Sequence, residues 1–465
     1  MIEDNKILTV IMAGGRGTRI AEYSKFLTGR EVPKPMLPID GIPVLELEIR
    51  NLVSQGFTDF LITVSYLADI IMNYFGDGSK FGCTIHYYIE ETPLGNAGAL
   101  WRCYDDLTDD FLLLNADSIF DIDFQRFVSF HREHGALATL FTHPNSHPHD
   151  SGLLMTADDG SGVVKRWYTK EDERPQYYNN RVNAGLHVLN KSALDKAAEI
   201  GTIPVDHIGE TDADGNIIKV DLDRQILKPL VQNTDCVIAY DSPEYVKDMG
   251  TPERFEQVSA DFQAGIVSSK NLLNPQKAIF LDRDGTVNKY VGFLRNIRDF
   301  ELIGGAAESI ARINASGYLC IVITNQPVIA RGEVTVDELN EIHRKMETLL
   351  GKSGAYIDGL YYCPHHPDKG FEGEVAELKI NCDCRKPKTG LINRAVKDFN
   401  IDISSSYFFG DGKNDIQCGL NAGAAATALY VGPGSESAAE HEQPGEYGQT
   451  YTVNSLNEFL NLIGV

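Results

Sequence analysis

The sequence predicts an α/β protein made of two doubly wound, Rossmann-like domains, on three observations. Short apolar runs of strand length alternate with helical stretches along most of the 465 residues. The alternation breaks at a polar stretch past residue 260 and restarts at Ala278. Each half also opens on an apolar run leading into a phosphate-type loop: residues 7–12 into Ala13-Gly14-Gly15-Arg16-Gly17-Thr18-Arg19, and residues 278–281 into Asp282-Arg283-Asp284-Gly285-Thr286. Strand ends in such sheets are where backbone N–H groups and carboxylates meet phosphate.

In the first half, residues 7–12, 59–64, 111–115, 137–142 and 182–189 read as strands, with helical stretches between them. The stretch 262–276, with Ser268, Ser269 and Pro275, reads as a domain boundary. The expected organisation is a first domain over 1–260, a linker over 261–276 and a second domain over 277–465. In the second half, 278–281, 318–324, 359–362, 407–409 and 427–431 read as short buried strands, while 306–316 and 336–350 have helical spacing. The polar stretch 435–448 reads as loop. No internal repeat is visible, so the halves are expected to be different folds.

Composition narrows the function classes. The formal net charge of -24 disfavours nucleic acid or an anionic membrane as partner, because both would be repelled by the whole molecule. No apolar run reaches the ~20 residues that span a bilayer, and the start of the chain has no basic region followed by an apolar stretch. These features read as cytoplasmic. Anionic small molecules stay compatible with an acidic protein, since Arg, Lys and magnesium reverse the local potential. Of eight cysteines, Cys83, Cys103, Cys236 and Cys320 are isolated and read as buried thiols, and Cys418 lies on an expected helix. Cys363, Cys382 and Cys384 cluster with His365.

In the first half, Gly14, Gly15 and Gly17 let the backbone approach a triphosphate, with the N–H groups of the turn forming an anion-binding concavity. A glycine-rich loop alone is weak. It is followed in order by Pro33-Lys34-Pro35-Met36-Leu37-Pro38, Leu94-Gly95-Asn96-Ala97-Gly98-Ala99, Leu114-Asn115-Ala116-Asp117 and Asp248-Met249-Gly250-Thr251-Pro252. Over residues 6–260 this set resembles the sugar-1-phosphate nucleotidyltransferases, whose fold is GT-A-like. The resemblance implies attack of a sugar 1-phosphate on a nucleoside triphosphate, releasing pyrophosphate. It places Arg19 and Lys34 on the triphosphate and magnesium on Asp117 and Asp248. Gly14, Gly15, Gly17, Thr18, Gly95, Asn96, Lys170 and Asn183 fall to substrate. The stretch between Arg19 and Lys34, with Lys25 and Arg30, is longer than the common pattern, which leaves the division of roles among Arg16, Arg19 and Lys25 open.

The second half carries a full set of phosphate-handling motifs: Asp282-x-Asp284, Thr324 ending Val322-Ile323-Thr324-Asn325-Gln326, Lys386 in Arg385-Lys386-Pro387, and Gly410-Asp411 with Asp415. It resembles the haloacid dehalogenase superfamily, whose phosphatases pass through an aspartyl phosphate. The resemblance implies Asp282 as nucleophile and Asp284 as acid and base. Magnesium would be held by Asp282, Asp411 and the Asp284 backbone carbonyl, and the phosphoryl group by Thr324, Asn325, Arg385 and Lys386.

Cys363, His365, Cys382 and Cys384 offer three thiolates and an imidazole, the closed set of a structural zinc site, with His366 as an alternative to His365. Together with the motifs above, and with Gly332 after Ile329-Ala330-Arg331, the segment 276–432 is similar to the D-glycero-D-manno-heptose 1,7-bisphosphate 7-phosphatases. Related histidinol phosphatases share the zinc loop. The neighbouring domain favours the heptose, because loss of the 7-phosphate yields a sugar 1-phosphate that a nucleotidyltransferase consumes. The expectation is a bifunctional enzyme making a nucleotide-activated heptose for bacterial surface glycans. GTP is the guessed donor and ATP the alternative. A hexose-1-phosphate transferase joined to a phosphatase of other specificity, or one half kept as a non-catalytic binding domain, are the competing readings. Anomer and oligomeric state are left open.

Overall fold

A computed structural model of the chain describes residues 7–15, 17–169, 171–201, 203–436 and 450–465. Arg16 and Lys170 lie outside the described residues, as does most of the 435–448 stretch. The chain divides into two compact units: Met1–Thr142, Leu154–Trp167 and Asn183–Asn271 in one, and His143–Leu153, Tyr168–Val182 and Leu272–Val465 in the other. The two inserted stretches belong to the second unit. There the Asn180 N–H and the Asn179 side-chain amide donate to Glu347 of the long helix Val336–Lys352.

The first unit is a nine-stranded mixed sheet. Leu8–Met12 runs parallel to Asp59–Val64 on one side and to Asp110–Asn115 on the other. Thr84–Ile89 extends the parallel part, and Val182–Asn190 joins antiparallel beside Asp110–Asn115. Central strands are buried on both faces, which is why they read as continuous apolar runs. Ile11, Leu112 and Leu114 enter one core, while Val10, Leu113 and Leu189 enter the other. The chain leaves Leu8–Met12 towards one side of the sheet and returns on the other at Asp110–Asn115, so the two carboxyl ends flank a topological switch point, where open α/β sheets bind ligands.

The second unit is a six-stranded, all-parallel sheet in the order Gly359–Cys363, Leu319–Asn325, Ala278–Leu281, Tyr407–Gly410, Ala426–Tyr430, Thr450–Val453. Its switch point lies between Ala278–Leu281 and Tyr407–Gly410, so Asp282 and Asp411 leave adjacent strand ends. Ile279 and Leu281 fill one core, Ala278 and Phe280 the other.

The expected strands are all present, displaced at most one residue at an end. The edge strands Thr84–Ile89 and Thr450–Val453 were not foreseen: their alternating or exposed faces give weak apolar signals. The stretch after residue 260 is not extended linker, since Pro252–Gln263 and Ile266–Ser269 are helical. Among the isolated cysteines, Cys103 and Cys320 are buried, but Cys236 is exposed and Cys83 half-buried, because Cys236 stands at the start of a strand and Cys83 follows a turn. Among the described residues, no helix is long and apolar enough to cross a membrane.

Candidate active sites

A cleft of about 1030 Å3 opens at the carboxyl ends of the first unit's parallel strands. Gly14, Gly15, Gly17, Thr18, Arg19, Lys34, Gly95, Asn96 and Asp117 all line it. The loop after Leu8–Met12 is bare where ligand would approach: nothing lies within 4 Å of where a side chain at Gly15 would begin. Gly17 has φ +56, and a Cβ there would press on Lys34 at 3.2 Å. Gly95 is fixed more tightly. With φ +87, its Cβ would come within 2.2 Å of the Val220 carbonyl oxygen, so only glycine lets the 94–98 turn seat against that strand. Asn96 Oδ1 accepts from the Leu222 N–H at 2.8 Å, which anchors the turn from below.

Lys34 starts the short 3-10 helix Lys34–Met36, is 7% exposed, and donates from Nζ to Asp117 Oδ2 at 2.9 Å. Asp117 and Asp248 come together because Ser118–Asp121 pairs antiparallel with Tyr245–Asp248 and the Met249 N–H donates to the Asp117 carbonyl. Burial works against the charge of Asp248, but Arg254 at 2.5 Å, the Gly250 N–H and Lys34 outweigh it and hold its carboxyl below the usual range. Arg19 packs on Gly250, where a Cβ would stand 3.2 Å from its guanidinium and 2.9 Å from Asp248 Oδ1. Arg19, Lys34, Asp117 and Asp248 thus form one alternating patch of charge, and the carboxylate pair is a hard-oxygen set that suits magnesium. Asn183 is not among the residues lining the cleft, and its Oδ1 accepts from the Gly185 N–H.

In the second unit Asp282 sits at the end of the central strand, its N–H bonded to the Phe409 carbonyl. Lys386 Nζ lies 2.7 Å from Asp282 and 2.6 Å from Asp415. Asp282, Asp411 and Asp415 have carboxylate oxygens all within 4.8 Å of one another. Burial, then Asp415, raises Asp282 to about 7; burial, then Asp282, raises Asp411 to about 8. Burial opposes the charge of Lys386, yet the two carboxylates beside it push its pKa above the usual lysine range. Three carboxylates around one ammonium leave surplus negative charge in a buried place, which is the electrostatic demand for a divalent cation with oxygen ligands. Gly285, with φ +81, makes room: a Cβ there would fall 1.8 Å from Asp411 Oδ2.

Asp284 is held by its own neighbours. Arg283, fully buried, donates from Nη2 to both oxygens at 2.9 and 2.7 Å, Asn288 donates to Oδ1 at 3.0 Å and Gln326 to Oδ2 at 2.8 Å. Arg283 Nη1 also bonds His343 Nε2 at 2.9 Å, and burial followed by Arg283 pushes His343 far below its usual pKa, which keeps that nitrogen an acceptor. Every bond to Asp284 is accepted, so this is its carboxylate form. Thr324 ends its strand buried, accepting from Gln326. Asn325 brackets the Lys386 backbone by accepting from its N–H at 3.0 Å and donating to its carbonyl at 3.2 Å. Arg385 reaches only the His365 carbonyl, at 3.4 Å.

Cys363, His365, Cys382 and Cys384 converge, with Sγ separations of 3.5 Å for 363 to 382 and 3.3 Å for 363 to 384, and His365 Nδ1 3.2 Å from Cys384 Sγ. Sulfurs at these distances are unbonded to one another. Four donors so close suit a tetrahedral ion with metal–sulfur bonds of about 2.3 Å. His366 instead accepts from the Asp368 N–H.

The nucleotidyl transferase family matches residues 8–264, more than half of the chain. The chain belongs to that family. A HAD-hydrolase-like family matches the last part, residues 383–459. The D-glycero-beta-D-manno-heptose-1,7-bisphosphate 7-phosphatase of Haemophilus ducreyi is 39% identical over 186 residues, 40% of this chain and 97% of the relative. The enzyme of the same name from Escherichia coli K12 is 37% identical over 93% of its length. Among solved structures, HddC from Yersinia pseudotuberculosis aligns over 55% of this chain and 99% of its own, at 23% identity and a TM-score of 0.42. The D,D-heptose 1.7-bisphosphate phosphatase from B. bronchiseptica, complexed with magnesium and phosphate, aligns over 40% and 98%, at 28% identity and a TM-score of 0.36. This nucleotidyl transferase is therefore a bifunctional enzyme with a phosphatase as its second half.

Several site residues escaped sequence reasoning. Lys219 and Glu90 line the transferase cleft, and Glu48, buried on the helix Val44–Ser54, is held well above the usual carboxyl range by burial and then by Asp117. None has a motif, since each arrives from a separate element. In the phosphatase half Asp415 was quoted with its motif without a role; it follows Asp411 by one helical turn, a spacing that places both on one strand-to-helix junction. His343 and Gln326 had no such signal.

Proposed function

We propose that the second half removes the 7-phosphate of D-glycero-D-manno-heptose 1,7-bisphosphate and that the first half transfers a nucleotidyl group, GMP from GTP, to the resulting heptose 1-phosphate. The observation that carries this is the pairing on one chain of a nucleotidyl transferase with a segment spanning 97% of a curated heptose-bisphosphate phosphatase at 39% identity. The product of one reaction has the chemistry of the other's substrate.

In the phosphatase, an Asp282 oxygen attacks phosphorus as the bond to the sugar oxygen breaks, and Asp284 in its protonated form gives that oxygen a proton. Asp284, then a carboxylate, takes a proton from water, whose oxygen attacks phosphorus, breaks the aspartyl ester and frees phosphate. Lys386 and Thr324 hold the phosphoryl oxygens, with Asn325 fixing the Lys386 backbone. Asp282, Asp411, Asp415 and the Asp284 carbonyl would hold magnesium, which screens carboxylate from phosphate when bound. Cys363, His365, Cys382 and Cys384 would hold zinc, which pins the loop leading into Arg385 and Lys386.

In the transferase, an oxygen of the sugar 1-phosphate attacks the α-phosphorus in line, and the bond to pyrophosphate breaks. Arg19 and Lys34 neutralise charge on the triphosphate, with the backbone at Gly14, Gly15, Gly17 and Thr18 following its phosphates. Asp117 and Asp248 would hold magnesium. Asn96 with Gly95, Asn183 and Lys170 are assigned to the substrate.

The test is incubation of the chain with magnesium, heptose 1,7-bisphosphate as separate α and β anomers, and GTP or ATP, with products read by mass spectrometry. GDP-heptose supports the whole reading, and ADP-heptose changes only the base. Phosphate release without nucleotide-sugar leaves the heptose to the phosphatase alone. No turnover of any heptose overturns the proposal in favour of a hexose.

A further inference from the structure

Beside the phosphatase site stands a cation without a counter-ion. The Arg331 guanidinium lies between two phenyl rings, 4.0 Å from the Phe293 centroid and 4.5 Å from that of Phe371. Its Nε is buried without an acceptor, and it has no ion-pair partner among the described residues. Arginine kept for structure normally satisfies its donors with carboxylates or carbonyls, because an unmade bond to a charged group is costly. Rings on both faces instead fix the guanidinium plane and leave its edge, where the donors point, for a ligand.

The surroundings are positive. His366 is within electrostatic reach of Arg385, Arg331 and Lys379. The enclosed Lys379 ammonium lies 4.4 Å from the Phe371 centroid and 3.5 Å from Glu374, an acid also occupied by the N–H groups of Gly370 and Phe371. Arg385 has only its long bond to the His365 carbonyl. The patch is tied to the reacting centre at two points. Arg385 precedes Lys386, whose ammonium touches Asp282, and Arg331 follows the single turn Pro327–Ala330, which starts just after Gln326, the donor to Asp284. One helical turn is about 5 Å, the scale of a sugar ring and not of a separate site.

We propose that Arg331, clamped between Phe293 and Phe371 and assisted by Arg385, binds the phosphate of the sugar bisphosphate that is not cleaved. The inference rests on the bisphosphate reading of the second half. A phosphate dianion is the ligand of choice because its oxygens accept in-plane, paired bonds from a guanidinium. The clamp sets specificity: it rewards substrates carrying a second phosphate and so directs hydrolysis to the far end.

The experiment compares the full chain with Arg331→Ala and Arg331→Lys on heptose 1,7-bisphosphate and on heptose 7-phosphate. In Arg331→Ala the ratio of kcat/KM for bisphosphate over monophosphate falls about 10- to 100-fold, carried by KM, as loss of a charge-assisted bond requires. Arg331→Lys, which keeps the charge and loses the planar fork, lies between. Equal losses on both substrates, or a wild type without preference for the bisphosphate, overturn the proposal. If the wild type hydrolyses p-nitrophenyl phosphate but neither heptose, the heptose reading has failed instead, and the same ratio is read with fructose 1,6-bisphosphate against fructose 6-phosphate. There a fall in Arg331→Ala upholds the clamp and equal losses overturn it.

Discussion

Burial and Asp415 push the Asp282 proton on, while Lys386, 2.7 Å away, pulls it off, and burial prevails. The outcome, about 7 for Asp282 and about 8 for Asp411, has a consequence for stability. Unfolded aspartate titrates near ~4, so between about 4 and 8 the folded state binds more protons than the unfolded one. Stability of the chain in magnesium-free buffer therefore falls as pH rises through that window and levels off above it. Calorimetry at a series of pH values checks this: magnesium should flatten the slope, and a stability that rises with pH between 5 and 8 would refute the arrangement. Single substitutions divide the two chemistries. Asp282→Asn should abolish phosphate release and leave nucleotidyl transfer from supplied heptose 1-phosphate, and Asp117→Ala the reverse, read as phosphate and pyrophosphate. Loss of both activities in either variant would contradict two separate sites.

Two turns carry much of the geometry, and each depends on a glycine at a strand end. Gly285→Ala would drive a methyl group into Asp411, at 1.8 Å, from a backbone with φ +81. A carboxylate displaced by about 1 Å costs on the order of 100-fold in rate, so phosphate release should drop by that factor while nucleotidyl transfer persists. Steady-state rates of both half-reactions decide it, and retention of phosphate release would mean that Asp411 is not where the reaction needs it. At this scale the sequence was readable where a strand is buried on both faces and runs into a motif, as at 278–281. It was silent where a strand is an edge, as at Thr84–Ile89, or where a helix residue such as His343 meets Arg283 from sixty positions away. Periodicity reports burial along one element, and such a meeting depends on two.

The two reactions follow one another, and free diffusion of heptose 1-phosphate is the simplest link. Neither Asp282→Asn nor Asp117→Ala alone should convert heptose 1,7-bisphosphate to nucleotide-heptose, but an equimolar mixture should, after a lag that shortens with protein concentration. Chromatographic assay of the nucleotide-sugar measures it. If the mixture stays silent while each variant keeps its own half-reaction, the intermediate is not exchanged through solution.

The sequence by itself determined the two α/β units, the order of their central strands and most of the charged groups at their carboxyl ends, because apolar runs that end in glycine or aspartate are local patterns with local causes. Only the tertiary structure decided which charges meet: Asp117 with Lys34, Asp282 and Asp415 on Lys386, Asp284 inside the grip of Arg283, and Arg331 between two rings without a partner. Coulomb energies and hydrogen bonds fall off over a few ångströms in space, whatever the separation along the chain. That is why Asp415, quoted with its motif without a role, emerged as a member of the carboxylate cluster only when the helix Lys413–Ala422 was folded back onto the strand end.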